Sequence, residues 1–491
     1  MLFNSYEFIF FFLPTVLFVF FAIGKRGHFS TAMAWLVVAS LFFYAWWNPA
    51  YLGLILTSIL FNYAIGKALS QHVQQPHIMR IILCLGISIN LGILGYYKYA
   101  NFFIDTTNQI FHTHMDVGSV LLPLAISFFT FQQIAYLIDA SRGEVKEYNF
   151  LHYCLFVTFF PQLIAGPIVH HKEMMPQFAK RSIYSMKYSN LAIGLSIFSI
   201  GLFKKVILAD GIATYASPVF NSAAAGVAPS FADAWVGALA YTLQLYFDFS
   251  GYCDMAIGIS RMFGIRLPLN FHSPYKANNI IDFWRRWHMT LSRFLRDYLY
   301  FPLGGNRKGT TRRYINLMIT MVLGGLWHGA GWTFILWGAL HGFFLMVNHA
   351  WHGVRRAFQH DLSKSSCTGR LISRLITFLA VVIAWVFFRA EDLASAVLII
   401  QSMFVFHSAA MTLPKDSIAY TGILLAIVWF FPNTQEWLHR YRPAFNYPNH
   451  KQKVLLPTWR ASRATAILMA CAAFISILYL TRDSEFLYFN F

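Results

Sequence analysis

Charged side chains are scarce in this 491-residue chain. Asp, Glu, Lys and Arg make up 12% of the residues, whereas 57% are hydrophobic and the mean hydropathy is +0.51. A soluble protein carries about 25% charged residues. The deficit therefore excludes an ordinary soluble protein and indicates a polytopic membrane protein.

Acidic residues are scarcer than basic ones, with 20 Asp and Glu against 38 Lys and Arg, so the formal net charge is +18. Such an excess can serve nucleic-acid binding. In a membrane protein, however, basic loops set the topology and contact anionic lipid headgroups. We therefore expect membrane lipid rather than nucleic acid as the partner, with some of the charge available to an anionic, phosphate-bearing cofactor.

Several catalytic signatures are absent. The five cysteines show no CxxC pair or metal-ligand spacing, and we interpret them as small packing residues. No Walker A, GxSxG or HExxH motif occurs. The clustered histidines of a di-iron oxidase are missing apart from His170-His171 and the isolated pair His349 and His352, so we predict no metal site.

Apolar runs, by contrast, are abundant, and about twenty apolar residues cross a bilayer as a helix. They predict an all-α polytopic membrane protein, a single domain over 1–491 with about 10–12 transmembrane or re-entrant helices. The runs are 6–24, 31–48, 51–68, 81–97, 118–138, 150–169, 188–208, 229–247, 315–348, 374–388, 417–431 and 464–480.

The first run shows neither a basic region before it nor a small-residue cleavage site after it. We therefore interpret it as a retained span rather than a signal peptide. Basic residues occur at 25–26 and in the loop near 67–80, whereas the turn at 48–49 carries no charge. The positive-inside rule then predicts that the N-terminus lies outside the cytoplasm.

The polar tract 261–313 is strongly basic, with eleven Arg or Lys residues against two Asp. Within it, IIDFWRRWHMTLSRFLRDYLYFPL (280–303) places Trp284, His288 and Leu291 on one helix face at 100° per residue. The charged residues favour the opposite face. We expect an amphipathic helix that lies in the membrane interface or dips obliquely into the bilayer, with His288 on its apolar side.

The run 314–349 is longer than one straight span requires, and GGLWHGAG (324–331) lies near its middle. Its glycines either allow close helix packing or break the helix beside a cavity, where exposed backbone is tolerated in a membrane. The second alternative places His328 at a cavity wall. Changing Gly329 or Gly331 to valine should then block the chemistry.

An ionisable residue at membrane depth is a functional candidate, and His328 is the strongest here. The alternative is a structural histidine whose ring nitrogens bond to neighbouring backbone or hydroxyls. Burial favours the neutral ring, which can take a proton from a hydroxyl nucleophile and return it to a leaving group. His288 could orient His328, bind a cofactor or simply lie at the interface.

Two carboxylates, Asp248 and Asp254, lie in the apolar segment 241–258. They could support a functional tunnel, or they could form polar contacts between helices. A transporter would also place carboxylates in its spans. These two residues therefore do not distinguish an enzyme from a transporter.

Five segments, taken together and in order, resemble one family. They are LPLAISFFTFQQIAYLID (122–139), FFPQLIAGPI (159–168), QLYFDFSGYCDMAIG (244–258), DFWRRWHMTLSRFLRDYLYFPLGGNRKG (282–309) and GGLWHGAGWTFILWGALHG (324–342). The set resembles the membrane-bound O-acyltransferase (MBOAT) superfamily, and within it the bacterial alginate O-acetyltransferase-like branch. The core motifs run from about residue 118 to 349.

The resemblance implies helices around a central tunnel, with His328 as the catalytic residue and His288 as the second histidine. It implies no permanently bound cofactor, but a cytoplasmic acyl thioester such as acetyl-CoA as donor. One departure is Cys253, where relatives commonly have serine. The basic tract would bind donor phosphates, and we expect Arg285, Arg286, Arg307 and Lys308 to do so.

The resemblance also implies a multi-pass protein of the bacterial inner membrane with a periplasmic N-terminus. A periplasmic SGNH-type acetyltransferase and a polysaccharide export complex are the expected partners, with alginate, cellulose, peptidoglycan or another acceptor left open. An oxyanion donor would come from Trp327, Asn316 or backbone N–H groups near Gly329. A transporter that hands acetyl to its partner, and a non-catalytic scaffold, remain the alternatives.

Overall fold

The computed structural model describes all residues except 117, 119, 146–148, 363–365, 406–410, 446–457, 482–486 and 488–491. In this described part the chain is predominantly α-helical and forms no β-strand, only an isolated bridge between Pro268 and Phe445. The predicted all-α class is therefore confirmed.

Twenty α-helices follow one another along the described residues. They are α1 (Leu13–Lys25), α2 (Phe29–Ala45), α3 (Tyr51–Gln71), α4 (Pro76–Phe111), α5 (Ile126–Ser141), α6 (Phe150–Thr158), α7 (Phe160–Leu163), α8 (His171–Phe178), α9 (Tyr188–Phe203), α10 (Asp210–Ala224), α11 (Phe231–Met262), α12 (Ile280–Trp284), α13 (Met289–Leu295), α14 (Gly309–His328), α15 (Trp332–Ala357), α16 (Cys367–Arg389), α17 (Leu393–Phe404), α18 (Asp416–Phe430), α19 (Thr434–Trp437) and α20 (Arg463–Leu478). Three π-helical turns (Glu7–Phe12, Lys204–Ala209 and Arg296–Tyr300) extend or connect them.

Among the described residues, six helical segments are long and apolar enough to cross a membrane by length and composition. They are Glu7–Lys25, Tyr51–Gln71, Pro76–Phe111, Tyr188–Ala224, Trp332–Ala357 and Cys367–Arg389. Four shorter apolar helices accompany them, namely α2, α17, α18 and α20. The multi-pass membrane class predicted from hydropathy is confirmed.

Helix α11 forms the buried centre of the fold, because nearly all of its residues from Asp233 to Met262 are buried. Its tight packing against α9 depends on glycine. A Cβ atom on Gly201 would lie 2.6 Å from the carbonyl oxygen of Gly251, and one on Gly258 would lie 2.6 Å from that of Gly194. Small residues at both contacts let the two backbones approach, as in other membrane helix pairs.

Candidate active site

His328 is the last residue of α14. The chain leaves the helix at Gly329, whose φ of −158° is extended, and α15 begins three residues later at Trp332. The helix break predicted from the glycine cluster is therefore confirmed. It forms the short turn of a helical hairpin, with the buried His328 at its end.

The close-packing interpretation of the glycines also holds, at other positions. A Cβ on Gly325 would lie 2.2 Å from the carbonyl oxygen of Phe334 on α15, and a Cβ on Gly338 would lie 2.3 Å from that of Met321 on α14. A Cβ on Gly329 would lie 2.1 Å from the Phe334 ring. The two helices can therefore pack this closely only because these positions carry no side chain.

The structure shows no close backbone approach at Gly331, so the expected effect of valine there stays a prediction without a local structural reason. A Cβ there would meet its nearest atom at 3.5 Å, an ordinary van der Waals distance. Its φ of −167° is extended backbone that any residue adopts. Nothing in the local geometry requires glycine at this position.

The prediction of one continuous amphipathic helix over 280–303 was wrong, because the segment breaks in its middle. Helix α12 ends at Trp284 and α13 begins at Met289, while His288 has left-handed backbone angles of φ 40° and ψ 54°. Such a conformation is uncommon for a residue other than glycine. His288 is fully buried, so its side chain is enclosed by protein rather than facing lipid or water.

Asn270 explains the position of His288. Its backbone carbonyl accepts a hydrogen bond from Met289 N at 2.9 Å. Its side-chain Oδ1 accepts from Thr290 N at 3.3 Å and Thr290 Oγ1 at 2.9 Å, and it lies 3.1 Å from His288 Nδ1. Asn270 Nδ2 in turn donates to Cys253 Sγ at 3.2 Å, so Cys253 has the small polar role that a serine would have.

This network assigns the tautomer of His288. Because Asn270 Oδ1 is an acceptor, His288 Nδ1 carries the proton, and Nε2 is the acceptor nitrogen of the neutral ring. The sequence reasoning missed Asn270. Its one signal was an asparagine between apolar residues in RLPLNFHSP (266–274).

The two predicted histidines come together. Their ring centroids are 6.4 Å apart, with the ring planes at 60°. Trp327 lies 4.8 Å from His328 and 6.2 Å from His288 between ring centroids. Trp337 and Phe388, each at 5.2 Å, cover other sides of His328. Aromatic walls of this kind exclude bulk water and strengthen electrostatic interactions at the site.

Two of the predicted oxyanion donors, Trp327 and Asn316, differ in placement. Trp327 stacks on Phe131 at 5.2 Å, and its buried Nε1 has no hydrogen-bond partner among the described residues. Asn316 instead donates to the carbonyl oxygen of Gly305 at 2.9 Å. It lies twelve residues before His328 on α14, which is about 18 Å along the helix axis. Asn316 is therefore too far away to serve a carbonyl at His328.

Asp248 and Asp254 have cationic partners on the helix beside α11. Lys205 Nζ lies 2.7 Å from Asp248 Oδ1 and 2.7 Å from Asp210 Oδ1. Lys204 Nζ lies 2.7 Å from Asp254 Oδ2. Buried carboxylates require such pairing, so the interpretation as polar contacts between helices accounts for both residues.

The four predicted phosphate-binding residues do not share one environment. Arg286 Nε bonds to Asp282 Oδ1 at 2.8 Å, so its side chain is engaged within the fold. Arg285, Arg307 and Lys308 are exposed. Arg307 and Lys308 precede α14, whose 20 residues span about 30 Å. A donor held there could reach His328 only if it were elongated, whereas Arg285 is three residues from His288.

Helix α13, which follows the His288 break, is anchored to α8 by a charged pair. Arg293 Nη1 and Nη2 lie 2.5 and 3.0 Å from the two carboxylate oxygens of Glu173. Burial alone would raise the pKa of Glu173, but the two bonds from Arg293 outweigh it and hold that pKa below its ordinary value. The carboxylate therefore stays ionised and keeps α13 in place.

Comparison with known proteins identifies the family of the chain. The family model for the membrane-bound O-acyltransferase family (MBOAT) matches residues 139–388. The peptidoglycan O-acetyltransferase of Helicobacter pylori is 44% identical, over 100% of this chain and 98% of that protein. The probable alginate O-acetylase AlgI of Pseudomonas putida is 40% identical over 100% of both chains. The teichoic acid D-alanyltransferase of Streptococcus thermophilus is 28% identical, over 50% of this chain and 61% of that protein.

The fold thus defines a multi-pass, α-helical membrane protein in which two buried histidines lie together. The chain belongs to the membrane-bound O-acyltransferase family, in its alginate O-acetylase-like branch, and is an O-acyltransferase. The resemblance carried by the five sequence segments is confirmed. The roles of the individual site residues, the central tunnel and the periplasmic N-terminus stay predictions.

Proposed function

We propose that this protein moves an acetyl group from a cytoplasmic thioester, acetyl-CoA or an acyl carrier, across the inner membrane for O-acetylation of an exported polysaccharide. The observation that carries the proposal is the buried pair His288 and His328, with ring centroids 6.4 Å apart at the end of α14. The relatives named for alginate and peptidoglycan acetylation support a polysaccharide hydroxyl as the final acceptor.

In the proposed reaction, the neutral His328 imidazole takes the proton of the attacking hydroxyl. The hydroxyl oxygen forms a bond to the thioester carbonyl carbon, the carbon–sulfur bond breaks, and the proton passes from His328 to the leaving sulfur. The Trp327 Nε1–H is the proposed donor to the developing oxyanion. Asn270 holds His288 as the positioning neighbour of His328.

The identity of the polymer belongs, in this proposal, to a partner. Two relatives at 44% and 40% identity, each aligned over the full chain, are named for different polymers. This supports a common type of acetyl-transferring membrane protein. A periplasmic acetyltransferase of the SGNH type, within an export complex, would then select the acceptor polymer. The immediate acceptor is then a hydroxyl on that partner or on the polymer itself.

The proposal is tested by His328→Ala in cells that export the polymer, with base-labile acetate on the purified polysaccharide as the readout. We expect acetylation to fall by about 10²-fold or more, since acid–base catalysis typically contributes about 10²–10⁴. His352→Ala, on the distant end of α15, is the matched control and should keep wild-type acetylation. Normal acetylation by His328→Ala at a normal protein level would contradict the enzymatic role.

A transporter that carries out no chemistry is distinguished in vesicles. Purified protein with radiolabelled acetyl-CoA and a hydroxyl acceptor should release free thiol in proportion to acetyl ester formed. Movement of label across the bilayer without any ester, and without loss from His328→Ala, would favour the transporter instead.

A further inference from the structure

Lys98 is a buried lysine in the middle of α4 that the reaction described above does not use. Its ammonium donates to the carbonyl oxygen of Trp327, to that of His328 at 3.2 Å, and to Ser127 Oγ at 3.3 Å. The three N–H groups of one ammonium thus have three oxygen acceptors. A charged residue at membrane depth is expensive and marks a functional contact more often than a packing one.

The two backbone contacts fall at the end of α14. The last four carbonyl groups of an α-helix have no partner within the helix, and a cation there also complements the helix dipole. Tyr99 OH donates to the carbonyl oxygen of Leu326 at 2.8 Å. Adjacent residues of α4 therefore hold three consecutive carbonyl groups, those of residues 326–328.

The third contact connects this helix end to a cavity. Ser127 lines a cavity of about 120 Å³ together with Trp47, Tyr51 and Pro123. Lys98 bonds to Ser127 on one side and to the His328 carbonyl on the other. By the predicted topology, the turn that carries Trp47 lies on the side opposite the cytoplasm.

We propose that Lys98 is a positioning residue for acyl transfer: it fixes the last turn of α14 and thereby the place of the His328 ring. This inference rests on the proposed function. His328 is the last residue of α14, and the chain is extended at Gly329 before α15 begins at Trp332. Lys98 and Tyr99 therefore hold the backbone at this helix end, while aromatic side chains pack around the His328 ring.

The test uses four forms of the full-length protein in membrane vesicles with radiolabelled acetyl-CoA. For Lys98→Gln we expect kcat to fall at least about tenfold, because misplacement of a reacting group by about 1 Å costs up to about 10²-fold. The KM for acetyl-CoA should stay within about twofold, since the donor-binding side is untouched. Lys98→Arg, which keeps the charge and the donors, should recover most of kcat.

Lys67→Gln, an exposed lysine on α3, is the matched control and should keep kcat within about twofold of wild type. Lys98→Gln with wild-type kcat, a rise in KM instead of a fall in kcat, or no recovery in Lys98→Arg each overturns the inference. If Lys98→Gln does not accumulate as a folded protein, Lys98 acts through folding, and the positioning role is wrong. Wild-type vesicles that transfer no acetyl group contradict the proposed function, not the role of Lys98.

Discussion

Replacing Gly325 with alanine perturbs the hairpin of α14 and α15 that carries His328. Gly325 lies three residues before His328, and an added Cβ would come 2.2 Å from the carbonyl oxygen of Phe334. Contacts of a Cβ below 3.0 Å essentially do not occur. Because the opposing atom belongs to the backbone, the two helices must separate by about 0.8 Å or more to admit one methyl group.

Two consequences follow from that separation. Overpacking of this kind costs typically about 1–3 kcal/mol of folding free energy. A shift approaching 1 Å at the end of α14 also misplaces the His328 ring, which can reduce turnover by about 10²-fold. We therefore expect Gly325→Ala to accumulate at a reduced level and to lose far more activity than protein.

The assay compares acetyl ester formed per mole of folded protein with the thermal unfolding temperature in detergent. Gly331→Ala is the matched control. The nearest atom to its added Cβ would lie 3.5 Å away, an ordinary contact, and its backbone is extended. It should behave as wild type in both measurements. Wild-type turnover in Gly325→Ala, or equal losses in the two variants, would refute the argument from helix separation.

Three further outcomes are expected. Lys205→Met removes the cation from two buried carboxylates and should destabilise the protein by about 3–5 kcal/mol, measured by thermal unfolding, while Lys67→Met at a surface site should not. Asn270→Leu removes the acceptor of His288 Nδ1 and Thr290, and should lower both the unfolding temperature and, by at least about tenfold, the kcat per folded protein; unchanged kcat per folded protein would exclude the positioning role. Trp327→Phe keeps the stacked ring but removes its N–H, and should lower kcat by about 10²–10³-fold without a change in unfolding temperature.

The sequence predicted well those features that depend on one stretch of chain. The class of membrane protein follows from hydropathy, because the bilayer demands long apolar helices wherever the chain crosses it. The end of a helix at His328 follows from the neighbouring glycines. His328 was the strongest candidate because an ionisable side chain is costly in an apolar run and is usually retained for function.

The prediction for His288 shows where such reasoning fails. Helical periodicity placed it on the apolar face of a continuous helix, together with Trp284 and Leu291 and opposite most of the charged residues. The helix breaks there because Asn270, eighteen residues earlier, bonds to Met289 and Thr290 and turns the backbone. No periodicity within the segment carries that information.

The carboxylates illustrate the same limit. From sequence, Asp248 and Asp254 could support either a tunnel or helix contacts, and only the packing of the next helix brought Lys205 and Lys204 to them. Similarly, the run of basic residues in 261–313 predicted one phosphate-binding site. In the fold, Arg286 bonds to Asp282, whereas the neighbouring Arg285 is exposed. A side chain's partner decides its role, and the partner lies on another helix.

By itself the sequence determined the membrane class, the family and the histidine at the helix end, because hydropathy, motif order and glycine content are properties of continuous segments. Tertiary structure alone decided the tautomer of His288, the pairing of the buried acids and the contact of Lys98 with His328. Those contacts join residues as far as 230 positions apart. They exist only once the helices have packed, since hydrogen bonds in a low-dielectric interior depend on separations of a few ångströms.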